Sequence, residues 1–335
     1  MLRLALSLTL MTFATVALAD EKQVAFVDNA DRATGPAADV AMSPPADTAT
    51  ERASEDEPKA APTPTTAKYS VPFQLRSAAP SNTVRVDHVV SPFTTPTSPG
   101  LVQVTILSGS YRFTPNAAVF ARAGFVNYNP DGTRAANALT NPVIGGLWGD
   151  TFHAWRYAIA FAVAPPVGAG GGNSPDPAVA SSMKTAHLAR FAMDGTLFAV
   201  NEFATILGGD VAYVSRGWTV QFEATAAQLF RTRGEAQLPD AGRTNFLSGA
   251  HAGYWVLKEL CVASELRYQR WLSTPEAVQK DPLNRDNMSA AAGLRTSIEM
   301  KPFKVMPGLA YATGLRGQVL AQRFHAIQFD VPFVF

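Results

Sequence analysis

The sequence predicts an all-β chain: a transmembrane, antiparallel, up-and-down β-barrel of about twelve strands. Three observations predict it. From residue 69 onward, bulky apolar residues alternate with small or polar ones at period two. Full charges recur in mid-strand on the second face, where a soluble core would bury them at high cost. Tight turns alternate with long polar loops, as in membrane barrels with short periplasmic turns.

Composition sets the outer bounds. The chain has 335 residues, 47% apolar and 16% charged, with a net charge of +1. A nucleic-acid binder would carry a basic excess. The one cysteine, Cys261, excludes an internal disulfide framework and any Cys-rich zinc site.

The N-terminus predicts export. Arg3 supplies a positive charge, residues 4–18 are mainly apolar, and Ala17-Leu18-Ala19 precedes Asp20 as a small-residue cleavage site. Residues 1–19 read as a signal peptide, too short for a membrane anchor across a ~30 Å core. Residues 20–68 are rich in Pro, Ala, Thr and acidic side chains, with little to bury. They read as a disordered periplasmic linker.

The barrel domain spans 69–335. Its clearest strand is 154–164, where Trp155, Tyr157, Ile159, Phe161 and Val163 alternate with Arg156 and alanines. Similar alternation places the other strands near 83–91, 101–111, 117–127, 142–150, 202–215, 218–230, 245–257, 259–271, 288–299, 303–312 and 324–335. An even count lets the first and last strands meet and close the barrel. Tight turns fall at 215–217, 257–259 and 300–302, and long loops at 232–244, 273–287 and 313–322. Trp148, Trp155, Trp218 and Trp255 are expected at periplasmic strand ends and Trp271 at an outer end, as interfacial girdles.

The polar face yields the candidate lumen lining: Arg85, Asp87, Arg122, Arg156, Asp210, Glu223, His251, Glu265, Arg267, Arg295 and Glu299. Both signs are present. They either pair across strands and fill a narrow barrel, or set the selectivity of a polar passage. No catalytic or metal site is predicted, and no cofactor. The histidines His88, His153, His187, His251 and His325 form no metal-ligand spacing. A barrel hydrolase would need Ser, His and an acid side by side. Ser248 points away from His251, and no Gly-x-Ser-x-Gly occurs. The Gly run from Gly168 to Gly172 lacks the strand, helix and Lys-Ser/Thr of a phosphate cradle.

The chain ends Ile327-Gln-Phe329-Asp-Val331-Pro-Phe333-Val-Phe335, apolar at every second residue back from the terminal Phe. This resembles the C-terminal β-signal of Gram-negative outer-membrane β-barrel proteins. The resemblance covers roughly residues 70–335 and implies the outer membrane, its lipid, and the barrel-assembly machinery as partners. Ile327, Phe329, Val331, Phe333 and Phe335 are the implied assembly signal. Pro332 departs from an ideal strand and must sit where no N–H is needed. The Asn141-Pro142 strand start and the strand from Trp155 to Pro166 are also similar to aromatic-hydrocarbon and fatty-acid uptake barrels.

The largest insertion, 165–201, opens with Pro and Gly. It reads as weakly helical over 178–198, with Met183, His187, Leu188 and Phe191 near one face. It is expected to narrow or cap the lumen, with Arg156, Glu265, Arg267 and Arg295 holding its polar groups. The function expected is mediated or gated passage of a small solute, amphipathic or aromatic. The alternatives are a closed structural or surface-interaction barrel, and an outer-membrane lipid hydrolase.

Overall fold

A computed structural model describes residues 68–94, 99–170, 176–234 and 241–335. The expected signal peptide and the linker up to residue 67 lie outside the described residues. The chain divides into two units, 1–62 and 63–335; the second contains all the described structure.

Fifteen strand segments form one antiparallel sheet that closes on itself as a twelve-stranded barrel. They are β1 (Thr83–Thr94), β2 (Pro99–Thr114), β3 (Ala117–Pro130), β4 (Ala136–Leu139), β5 (Val143–Phe152), β6 (Trp155–Ala164), β7 (Glu202–Ser215), β8 (Trp218–Arg231), β9 (Gly242–Trp255), β10 (Leu260–Trp271), β11 (Asp286–Thr296), β12 (Ile298–Met300), β13 (Phe303–Val305), β14 (Gly308–Arg316) and β15 (His325–Val334). Closure comes from β1 against β15, in register from Thr83–Val334 to Val90–Ile327. No edge is left for lipid to desolvate.

Three barrel positions are each filled by two segments. β4 pairs with the outer half of β3 and β5 with its inner half. Pro142 lies in the gap, where a strand donor would be missing. The expected strands 288–299 and 303–312 are both interrupted. β11 stops at Thr296 and β12 resumes at Ile298; β13 stops at Val305 and β14 resumes at Gly308. Pro307 removes a donor at the second break. Pro332 faces inward opposite Arg85, and its carbonyl still accepts from the Met306 N–H.

The faces follow the alternation. Phe125, Ile144, Ile159, Phe161, Leu207, Phe222, Leu294 and Leu309 are exposed on the outer wall. A continuous apolar belt of this kind has lipid as its natural solvent. None of the described helices is long and apolar enough to cross a membrane. The inner face is lined by small residues, including Ala158, Ala160, Ala162, Ala204, Ala212, Ala263 and Ala312. These leave lumen volume that other parts of the chain occupy.

Trp148, Trp155 and Trp218 are exposed on the outer wall, as a girdle requires. Trp255 is not. It turns inward at 8% exposure and packs with Phe73 and Cys261, while the Lys68 ammonium lies over its ring. The parity of β9 dictates this, because Trp255 shares a face with His251.

Candidate functional site

Two elements fill the barrel. The first is the segment 68–82, which runs as irregular chain with bends at 73–75 and 78–79 before β1. Two inward glycines make room for it. A Cβ at Gly253 would collide with the Ser70 side chain, and one at Gly249 with Leu75. The wall grips its backbone. Glu265 accepts from the Phe73 and Gln74 N–H groups. Arg295 donates to the Val71 carbonyl at 2.9 Å, and Arg85 donates to Pro72 and Phe73. Arg76 reaches the opposite wall at Asp210, 2.8 Å, and its N–H donates to Glu223.

The second is the insert 165–201. Its main helix, α1 (Pro177–Ala189), starts where the Asp176 side chain caps the Ala178 N–H and Pro177 occupies the first turn. A short helix, α2 (Gly195–Phe198), follows. The apolar side of α1 (Met183, Ala186, Leu188 and Ala189) joins Phe191, Leu197 and Phe198 against inward residues of β1, β2 and β3. The insert thus lies within the barrel, and burial of its apolar side drives that placement.

The insert is also tied electrostatically. Arg190, fully buried, bridges Asp87 on β1 at 2.9 Å and Asp194 at 2.7 Å. Arg122 on β3 meets Asp194 at 2.8 Å. Burial alone would push the Asp194 carboxyl up; Arg122 and Arg190 outweigh it and hold the group well below the usual range. Between these anchors Phe191 and Ala192 take left-handed backbone conformations, φ 54° and 61°. Such residues persist only where the surroundings fix them. Asn141 ties the two ends, accepting from Gly168 N–H and donating to the Ala199 carbonyl.

The expected anchors therefore divide differently. Asp87 and Arg122 hold the insert. Glu265 and Arg295 hold the segment 68–82, and Arg267 pairs with Glu265 while lying 6.0 Å from the Phe191 ring. Arg156 lies over Tyr69. Gln74 connects the two elements, donating to the Arg190 carbonyl and to Asp194. In the mid-lumen, Arg76, Arg85, Arg122, Arg190, Arg267 and Arg295 pair with Asp87, Asp194, Asp210, Glu223, Glu265 and Asp330. Glu299 falls on β12 beyond the break at Ser297, stands exposed at the mouth of the cavity and pairs with Lys304.

His251 has a serine after all, supplied from outside its own strand. Its Nε2 lies 3.1 Å from Ser70 Oγ, and its Nδ1 3.5 Å from Glu265. All three are buried, and none lines the main cavity. Glu265 is already engaged by Arg267 and two backbone N–H groups. The set works as a clamp on the segment 68–82. Among the described residues, no cluster of His, Cys, Asp and Glu could hold a metal ion.

What remains open is a cavity of about 1710 Å³. It begins at the short-turn end, among Arg216, Lys258 and Glu299, and runs along the wall past Arg156, Phe120 and Leu147. Its inner end is formed by Met193, Asp194 and Thr196 of the insert. The cavity is a vestibule, open at the short-turn side and stopped by the insert. Of the C-terminal residues, Ile327, Phe329 and Phe335 are exposed on the outer wall and Val331 and Phe333 are half-buried.

Sequence reasoning missed Ser70, Gln74, Asn141, Arg190 and Asp194. The inward glycines Gly249 and Gly253 were the available signal, since a strand face without side chains implies something packed against it.

No protein-family model matches the chain, and no curated relative matches it in sequence. Among solved structures, the chain is similar to an outer-membrane channel from Pseudomonas putida F1, with a TM-score of 0.51 at 9% identity over 80% of this chain and 100% of that one. The NanC porin aligns with a TM-score of 0.46 at 8% identity, over 75% of this chain and 98% of the porin. At such identities the likeness concerns the fold alone, a closed antiparallel β-barrel.

Proposed function

We propose that the protein is an outer-membrane channel for small solutes, held closed by its insert 165–201. The observation that carries this reading is the vestibule that ends on Met193, Asp194 and Thr196. A barrel serving only as a scaffold has no need of an ionically latched element at the end of an open vestibule. The apolar outer belt and the closed ladder suit the outer membrane, with the short turns in the periplasm. The residues from Ile327 to Phe335 would then serve the assembly machinery. The test is planar-bilayer recording on the purified full chain. Rare, discrete current steps are expected; a barrel that never conducts, even when the insert is unlatched, contradicts the reading.

A lipid-hydrolase reading is favoured by one observation, the Ser70–His251–Glu265 contact. Its weakness is access, because a substrate carbonyl must reach the serine. Covalent labelling of Ser70 by a fluorophosphonate would establish it; no labelling is expected.

A further inference from the structure

The mid-lumen charges balance, six arginines against six carboxylates, and Arg156 stands outside that set, as do Lys68, Arg216 and Lys258 at the mouth. Arg156 faces the lumen from the periplasmic end of β6, the strand that also carries the outward Ile159. Among the described residues its side chain makes no ion pair and no hydrogen bond. Its one polar-group contact is with a ring, its guanidinium lying 4.9 Å from the centre of Tyr69. A partly dehydrated guanidinium whose N–H donors meet no acceptor among the described residues is an anion-binding group, and its planar fork suits a carboxylate.

Beyond it the lining combines an apolar group with the paired charges Arg76, Arg122, Asp194 and Glu223. Phe120, Leu147 and Ile206 line the same cavity. Leu147 sits opposite Ala160, four residues along β6 from Arg156, so about 13 Å further in at strand rise. A cation at the mouth and an apolar wall behind it, closed at the far end by the insert, match a solute with one anionic end and one apolar body. We propose that Arg156 and this wall form a binding site, loaded from the periplasmic side, for a small amphipathic monoanion. The inference rests on the passage reading above, because it names what the vestibule receives.

The test is equilibrium dialysis of the full chain in detergent micelles, with protein-free micelles as background. The probes are biphenyl-4-carboxylate and the cation of the same shape, biphenyl-4-ylmethylammonium. The carboxylate is expected to bind at least about tenfold more tightly than the ammonium, as one charge-assisted hydrogen-bond pair supplies. Arg156→Gln should erase that preference, and Arg156→Lys should keep most of it. Equal binding of the two probes to the native chain overturns the proposal, and so does undiminished carboxylate binding by folded Arg156→Gln. The probe comparison on the native chain decides even where a variant fails to fold. Binding requires no current. Conduction without carboxylate preference sinks the site alone, and carboxylate binding by a barrel that never conducts sinks the channel reading alone.

Discussion

Replacing Arg190 by Ala removes the latch at its centre. The side chain is fully buried and holds Asp87 at 2.9 Å and Asp194 at 2.7 Å, one from the wall and one from the insert. Breaking a buried ion pair by removing one partner costs roughly 3–5 kcal/mol, because the other charge stays buried. Here both carboxylates keep a second partner: Asp194 keeps Arg122 at 2.8 Å, and Asp87 keeps Arg85 at 3.6 Å. That places the loss at the lower end, about 3 kcal/mol. The barrel ladder does not depend on Arg190, so the cost falls on the closed position of the insert. At about 1.4 kcal/mol per tenfold, the open fraction should rise about a hundredfold. Open probability in planar bilayers reads this directly, and heat-modifiable migration checks that the barrel is intact. Arg190→Lys keeps one charge but loses the two-pronged reach, and should fall between. A folded Arg190→Ala barrel with native gating would refute the latch.

Two further variants test the lipid face and the terminal strand. Ile159→Arg puts a charge on the exposed outer wall near mid-strand, at a cost of roughly 2–4 kcal/mol. Ala158→Arg points inward, opposite Asp210 in the β6–β7 register, and should insert far better; equal yields in outer-membrane fractions would overturn the face assignment. Deleting Phe335 should sharply lower the amount of folded barrel in the outer membrane, and unchanged levels would remove its role as an assembly signal.

The wall was legible because a strand has only two faces and lipid punishes errors on one of them. Residues 154–164 or 218–230 admit one register, since a slip by one residue would turn Arg156 or Glu223 into hydrocarbon. The interruptions at Ser297 and Pro307 were hidden because both flanks keep the alternation, and they set Glu299 at the mouth of the cavity. The lumen contents were harder to read. The sequence from Lys68 to Asn82 has the alternation of a strand, with Tyr69, Val71, Phe73 and Leu75 on one side. It forms none, because its backbone groups are satisfied by Glu265, Arg295 and Arg85, side chains about 190 or more residues away for the first two. The pairing of Arg190 with Asp87 is equally non-local. Parity locates such charges inside the barrel and is silent on which partner each one meets.

The central claim is that the insert, and not the wall's own charge pairs, closes the passage. The decisive measurement is the single-channel conductance of a barrel lacking residues 167–195, recorded beside the native chain and a Glu265→Gln, Arg267→Gln double variant. The deletion removes α1, Arg190 and Asp194 while leaving every barrel strand in place. The account predicts a large, steady conductance for the deletion, with the double variant close to the native chain. A deletion barrel that folds and stays silent, with current appearing only when Glu265 and Arg267 are neutralised, would contradict it.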